Sequence, residues 1–235
     1  MFDIHAYLRG FSSSSPVLLM GILNLTPDSF HDGGAYVQRD AALSRLRFLQ
    51  AAGAQILDLG AMSSRPGHSP VSAEEEISRL SLLLSRPVEQ APLLSVDTDK
   101  PEVAAYALEH GVGLINDCSG LLQRELYILA ARWQVPLVVM HRMGQEGQHG
   151  DICREVLDFF RESLSFGKSL GLSEQQFIFD PGLGFNKNYE ENLELMKALP
   201  AFCGLGRPIL LGFSHKRFIS HISGEEASHA PGGNL

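Results

Sequence analysis

The chain has 235 residues, 44% of them hydrophobic, which is enough to bury one large core, so a single domain over residues 1–235 is expected. Its 27 acidic side chains outnumber 19 basic ones, and the formal charge of −8 argues against a nucleic-acid or anionic-membrane surface. Cys118, Cys153 and Cys203 lack the paired spacing of a zinc site or redox motif. No apolar stretch reaches the ~18 residues of a membrane span and no basic leader precedes an apolar core, so a cytoplasmic protein is expected.

In chain order, the first residues read as irregular and lead into the run Ser12-Ser13-Ser14-Ser15. Short apolar runs then alternate with longer segments of helical period. Strands are expected near 17–23, 55–60, 92–96, 112–116, 136–140, 176–180 and 208–213, and helices near 39–52, 73–85, 101–109, 122–132, 151–170 and 189–199. Ser72 with Glu75, and Asp99 with Glu102, are spaced as capping boxes at two helix starts. The alternation predicts an α/β fold, a TIM (β/α)8-type barrel. Seven strands are legible where a closed barrel needs eight, so the eighth strand and last helix are expected to be missing from this chain.

Four of the apolar runs close on a side chain that carries oxygen: Asn24, Asp97, Asn116 and Asp180. Parallel strands buried on both faces read as continuous apolar runs, and ligand chemistry in such barrels gathers at their C-terminal ends. Three of them also have a plainer use. Asp97 can cap a helix, although Asp99 fills that role at better spacing; Asn116 can form an Asx turn; Asp180-Pro181-Gly182 is a common turn string. The first run continues as Asn24-Leu25-Thr26-Pro27-Asp28-Ser29-Phe30-His31-Asp32-Gly33-Gly34, a glycine-ended loop that suits a substrate-covering flap.

The stretch from Gly21 to Phe30, followed by Asp32-Gly33-Gly34, resembles the signature of dihydropteroate synthases. Further blocks agree in order: Asp58-Leu59-Gly60 leading to Ser63-Ser64-Arg65-Pro66-Gly67, Ser95-Val96-Asp97-Thr98, Ile115-Asn116-Asp117-Cys118-Ser119-Gly120, Met140-His141, Asp180-Pro181-Gly182-Leu183-Gly184-Phe185 and Gly212-Phe213-Ser214-His215-Lys216. The resemblance covers residues 17–220 and implies a transferase of folate biosynthesis. Such an enzyme joins 4-aminobenzoate to 6-hydroxymethyl-7,8-dihydropterin diphosphate and releases diphosphate with magnesium bound.

By that resemblance Asp97, Asn116, Asp180 and Lys216 hold the pterin. A carboxylate can take two hydrogen bonds side by side from the ring's N–C–NH2 edge, and an amide matches an edge that alternates donor and acceptor. Lys216 and Arg65 supply the cations for the departing diphosphate, with the Ser64 hydroxyl beside them. The resemblance also implies that Asn24 ligates Mg2+ through its side-chain oxygen, a hard donor suited to a cation that keeps several waters. Phe185 forms a wall for the aromatic ring, while Met140 and Asp32 complete the substrate shell. Asp97, Arg65 and Lys216 are the expected catalytic set. An imidazole at the barrel mouth could donate to phosphate or act as a base, but His141 is expected only to line the site, because an unprotonated aromatic amine needs no protein base.

Three departures stand out. Met62 and Ser64 replace the usual Glu and Thr, and the family's Ser-Arg-Lys-Ser appears as Ser214-His215-Lys216-Arg217. Arg217 at a helix start is positioned to meet the 4-aminobenzoate carboxylate. The Arg-x-His motif of the eighth strand is not seen, so the 235-residue polypeptide alone is expected to be weakly active or inactive. Small-molecule substrates and a homodimer are the expected partners. Two other readings are a methyltetrahydrofolate-dependent methyltransferase domain, against which the Asn24-to-Gly34 loop argues, and a pterin-binding paralogue without turnover.

Overall fold

Six of the expected apolar runs form parallel strands, paired in sequence order: β1 (Met20–Asn24), β2 (Ile56–Gly60), β3 (Leu93–Asp97), β4 (Leu114–Asp117), β5 (Leu137–Met140) and β6 (Phe177–Asp180). The computed structural model describes residues 2–12, 14–26, 35–62, 71–86, 88, 91–120, 123–142 and 144–213. The helices α2 (Ala35–Ala51), α3 (Ala73–Leu84), α4 (Pro101–Glu109), α5 (Arg124–Trp133) and α6 (Ile152–Ser169) each link consecutive strands. This is the βα repeat of a (β/α)8 barrel, seen here as a six-stranded arc among the described residues. No described helix is long and apolar enough to cross a membrane.

Alternation along the strands sorts their side chains into two faces. Leu57, Leu59, Leu94 and Val96 pack outward beneath α2, α3 and α4, and Ile115, Leu137, Val139, Phe177 and Phe179 pack beneath α5 and α6. The inward set begins apolar at the strand starts, with Ile56, Leu114, Val138 and Ile178 in one buried cluster. Toward the strand ends it turns polar, with Asp58, Ser95 and Asn116 buried. Because both faces are covered, β2, β4, β5 and β6 show no exposed residue, which is why they read as continuous apolar runs.

Three expectations are corrected. The N-terminal segment is not irregular: α1 (Ile4–Arg9) starts where the Asp3 carboxylate accepts the Ala6 N–H at 3.0 Å, and its Ile4 and Leu8 join the inward apolar cluster. The helix is too short for periodicity to reveal, and its core partners lie far along the chain. The run at 208–213 is not a full strand among the described residues; Ile209 makes a single parallel bridge to Phe179. The helix expected over 189–199 is two, α7 (Tyr189–Lys197) and α8 (Leu199–Cys203), divided at Ala198 with Pro200 in the first turn of the second. Since Leu8 is 2% exposed against the strand starts, Leu8→Ala should cost about 2–5 kcal/mol of stability. Chemical denaturation showing a loss well below that range would mean that α1 is not part of the cooperative core.

Candidate active site

The parallel register carries four residues to one level at the strand ends: Asn24 pairs with Gly60, Gly60 with Asp97, and Asp97 with Asn116. All four have inward parity. A side chain at position 60 would meet the Asn24 side-chain oxygen, since a Cβ built there lies 3.1 Å from Oδ1. Glycine at this position leaves room for the Asn24 amide. One step below, the buried Asp58 carboxylate accepts the Ser95 hydroxyl at 2.6 Å and the Asn116 amide N–H at 2.8 Å. The Cys118 thiol donates to the other end of that amide, Oδ1, at 3.4 Å. Asn116 is therefore pinned at both ends, with its second N–H and the remaining lone pair of Oδ1 left for a ligand.

The electrostatics follow from two inward carboxyl groups, Asp58 and Asp97, held close together, with Asp117 buried at the end of the neighbouring strand. Burial pushes the Asp58 carboxyl up, although its hydrogen bonds from Ser95 and Asn116 oppose the rise. Desolvation, then the neighbouring Asp58 charge, pushes Asp97 up to about 8. Asp117 rises to about 6, chiefly by burial, while the Ser119 N–H at 2.9 Å holds one of its oxygens. Burial and the nearby Asp97 charge raise the Cys118 thiol well above its ordinary range, so it is a hydrogen-bond donor here and not a thiolate. A ligand that brings N–H donors to Asp97 would favour the ionised form that burial and the Asp58 charge disfavour.

On the other side, Met140 of β5 pairs with Asp180 of β6. Asp180 is held by the Gly182 N–H, which donates to Oδ1 at 2.7 Å, and Met140 is fully buried beside it. The Phe185 ring, half-buried in the loop after β6, faces the Arg142 guanidinium at 5.1 Å. Arg142 also donates to the Cys118 carbonyl at 3.4 Å, tying the loops after β4, β5 and β6 together. The expectation that His141 lines the site is corrected: its ring packs edge-on against Phe159 of α6 at 5.4 Å, in the outward layer. Burial and the Lys187 charge depress its pKa to about 3, so the imidazole is neutral and faces away from the pocket.

The pattern of the family described as Pterin binding enzyme matches residues 20–231. The chain is 40% identical over 221 residues to the dihydropteroate synthase of Bacillus subtilis, covering 93% of this chain and 77% of that protein. It belongs to the dihydropteroate synthase family. A probable bifunctional folylpolyglutamate synthase/dihydropteroate synthase of Haloferax volcanii is also 40% identical over 223 residues; the match takes in 92% of this chain and 26% of that longer protein. A crystal structure of the Clostridium difficile dihydropteroate synthase, obtained in the presence of pteroic acid, superposes with a TM-score of 0.85 at 35% identity, covering 93% of this chain and 84% of that one.

Against the dihydropteroate synthase pattern, the departure at Met62 has a local explanation. Lys100, next to it in space at 3.8 Å from the sulfur, takes its carboxylate partner from the fully buried Glu76 of α3 at 2.5 Å and also reaches Asp99 at 3.3 Å. Thr98 donates to the second Glu76 oxygen at 3.0 Å. With Lys100 already paired, an apolar residue at 62 strands no charge. The same network corrects the expected Asp99–Glu102 capping box. Lys100, not Asp99, is the cap residue of α4, and it makes no side-chain cap bond because an ammonium has no acceptor to offer the free N–H groups of the first turn; Pro101 follows it as the opening helical residue. At α3 the expected cap is present, with Ser72 accepting the Glu75 N–H at 3.3 Å.

Asp32, Ser64, Arg65, Lys216 and Arg217 lie outside the described residues. Asn24 offers a neutral amide oxygen at an exposed strand end, on the same level as Asp97 two strands away, and such a donor fits Mg2+, a cation that keeps most of its waters. An all-protein cage is another matter; the described residues contain no group of three or more His, Cys, Asp or Glu side chains able to hold a metal. Asp58 is the site residue to which sequence reading gave no role. Its inward parity, two residues before Gly60, was the available signal.

Proposed function

We propose that the pocket at the strand ends takes 6-hydroxymethyl-7,8-dihydropterin diphosphate and joins it to 4-aminobenzoate. The observation that carries this reading is the pinned Asn116 amide beside the Asp97 carboxyl, a donor–acceptor pair preset for one edge of a flat heterocycle. Asp97 and Asp180 accept from the ring N–H groups, Asn116 meets the alternating edge, and Phe185 walls the aromatic amine. Lys216, Arg65 and Ser64 meet the diphosphate, Arg217 meets the aminobenzoate carboxylate, and Asp32 and Met140 complete the shell around the substrates. These roles come from the family resemblance and from the chemistry of each side chain.

The amine nitrogen lone pair attacks the methylene carbon as the carbon–oxygen bond to diphosphate breaks; the electron pair leaves with diphosphate, and the extra amine proton passes to water. An unprotonated aromatic amine needs no protein base, so the protein's work is alignment and stabilisation of the departing charge. Asn24 would hold Mg2+, which when bound offsets negative charge on the diphosphate. The reading includes a homodimer in the cytoplasm, by resemblance to the family.

The test is incubation with the pterin diphosphate, 4-aminobenzoate and Mg2+, with dihydropteroate followed by mass spectrometry and diphosphate release measured in parallel. Both products should appear in equal amounts. Calorimetry should show heat from 4-aminobenzoate only after diphosphate and Mg2+ are present. Pterin binding without product would indicate a binding-only protein, and uptake of methyltetrahydrofolate without any need for diphosphate would indicate a methyltransferase domain.

A further inference from the structure

We propose that Lys187 is a positioning residue for the pterin and aminobenzoate sites: its buried ammonium gathers the carbonyl oxygens of His141, Gly182 and Phe185 and so sets the aim of the Asp180 carboxylate and the Phe185 ring. This rests on the function proposed above and deepens it.

Lys187 is 5% exposed, and lysine is almost never buried unless its charge is matched. Its three N–H bonds meet three carbonyl oxygens, of His141 at 3.0 Å, Gly182 at 3.1 Å and Phe185 at 2.9 Å. Three converging carbonyls are what a potassium or ammonium ion would see in a cage of backbone oxygens. Each has a consequence for the pocket. His141 also donates its backbone N–H to the Asp180 carbonyl at 2.9 Å, so the first bond fixes the exit of β5 against β6. Gly182 donates its N–H to the Asp180 carboxylate, so the second bond fixes the peptide that orients that side chain. The third holds the backbone of the residue whose ring faces Arg142.

The backbones of residues 141 and 182 meet closely here. A Cβ at residue 182 would lie 2.0 Å from the His141 carbonyl oxygen, and the φ of +68° at this position already requires glycine. The ammonium sits against both oxygens and offsets their mutual repulsion. The rest of the loop is fastened separately. Asn186, in the left-handed region at φ 49°, donates to the Arg142 carbonyl at 2.9 Å, and Asn192 of α7 accepts the Gly184 N–H at 2.6 Å. Those ties let the loop persist when the ammonium is removed, while Asp180 and Phe185 lose their alignment.

The experiment compares Lys187→Met, Lys187→Ala and Lys187→Arg with the unaltered protein. Folding is checked by circular dichroism and melting, pterin diphosphate affinity by calorimetry, and KM and kcat for 4-aminobenzoate separately. The methionine variant should fold yet bind the pterin roughly tenfold or more weakly, as expected when polar groups at a buried site lose their partner. Its KM for 4-aminobenzoate should rise more than its kcat falls. The arginine variant keeps the charge, but a planar fork does not fit three converging oxygens, so it should show the same KM pattern with less loss of melting temperature. The alanine variant should recover affinity with ammonium or ethylammonium chloride and not with tetramethylammonium chloride at equal ionic strength. Folded methionine and arginine variants with unaltered pterin affinity and KM would overturn the inference while leaving the proposed function standing. An unaltered protein that binds no pterin would overturn both.

Discussion

Asp97→Asn should weaken pterin diphosphate binding by roughly two to three orders of magnitude and, at the same time, raise the melting temperature of the ligand-free protein above neutral pH. The first effect follows from chemistry at the ring edge. An ionised carboxylate accepts two N–H donors; an amide accepts one and turns its own NH2 toward the other, so a charge-assisted pair is lost and a donor is left facing a donor. Together these cost about 3–4 kcal/mol, which is the stated factor in affinity. The second effect follows from the cluster around Asp97. With its pKa pushed to about 8 by desolvation and by Asp58, ionising Asp97 without a ligand to match the charge costs the fold stability, and an amide never ionises. Calorimetry and thermal melts read the two effects separately. Near-native affinity in this variant would shift pterin recognition to Asp180.

The ligand-free protein should lose stability as pH rises from 6.5 to 8. A carboxyl whose folded pKa lies above its unfolded value contributes stability that is complete below the unfolded pKa and lost as pH rises through the folded one. Asp97, at about 8, meets that condition, and Asp58 is displaced in the same direction. Asp117, at about 6, has spent most of its effect below this window. His141 acts in the opposite sense, because a folded pKa near 3 removes stability as pH falls below the ordinary histidine value, so it is silent above 6.5. His149 is pushed up on balance, with desolvation outweighed by its hydrogen bonds to Glu155 and the Asn186 carbonyl, and its loss above 6.5 adds to the fall. One proton over 1.5 pH units is about 2 kcal/mol, which for a chain of this size lowers the melting temperature by roughly 4–8 °C. Asp97→Asn should flatten most of that slope, and saturating pterin diphosphate should do the same by favouring the charged form. A melting temperature that is level across the window in the unaltered protein would mean that Asp97 ionises freely.

The strand pattern was legible because a parallel sheet covered on both faces demands apolar side chains at every position, and that demand leaves a local trace. The oxygen-bearing residues at the run ends were legible for the converse reason: Asn24, Asp97, Asn116 and Asp180 interrupt apolar sequence where no packing requirement explains them. Asp58 entered only as part of a family block and was given no role, because it lies inside such a run and its purpose is visible only beside Ser95 and Asn116, 37 and 58 residues away along the chain. Lys187 escaped notice because a lysine in a loop is ordinarily solvated. The capping box at Asp99 failed because two residues at capping distance do not specify where the helix starts, and α4 begins one residue later, with Pro101 after Lys100. The helix at Ile4 to Arg9 carries only two buried anchors, too few for periodicity to register.

By itself, the order of apolar runs and helical segments determined a parallel α/β barrel with its polar groups at the C-terminal strand ends, because burial on two faces is a constraint each short segment must satisfy alone. The tertiary structure decided the rest: which level of the sheet holds Asn24, Asp97 and Asn116 together, that Asp58 fixes the Asn116 amide, that His141 turns outward, and that Lys187 binds three backbone oxygens. Those outcomes depend on register and on loops meeting across the sheet, and distances between separate segments leave no trace in the local spacing of residues.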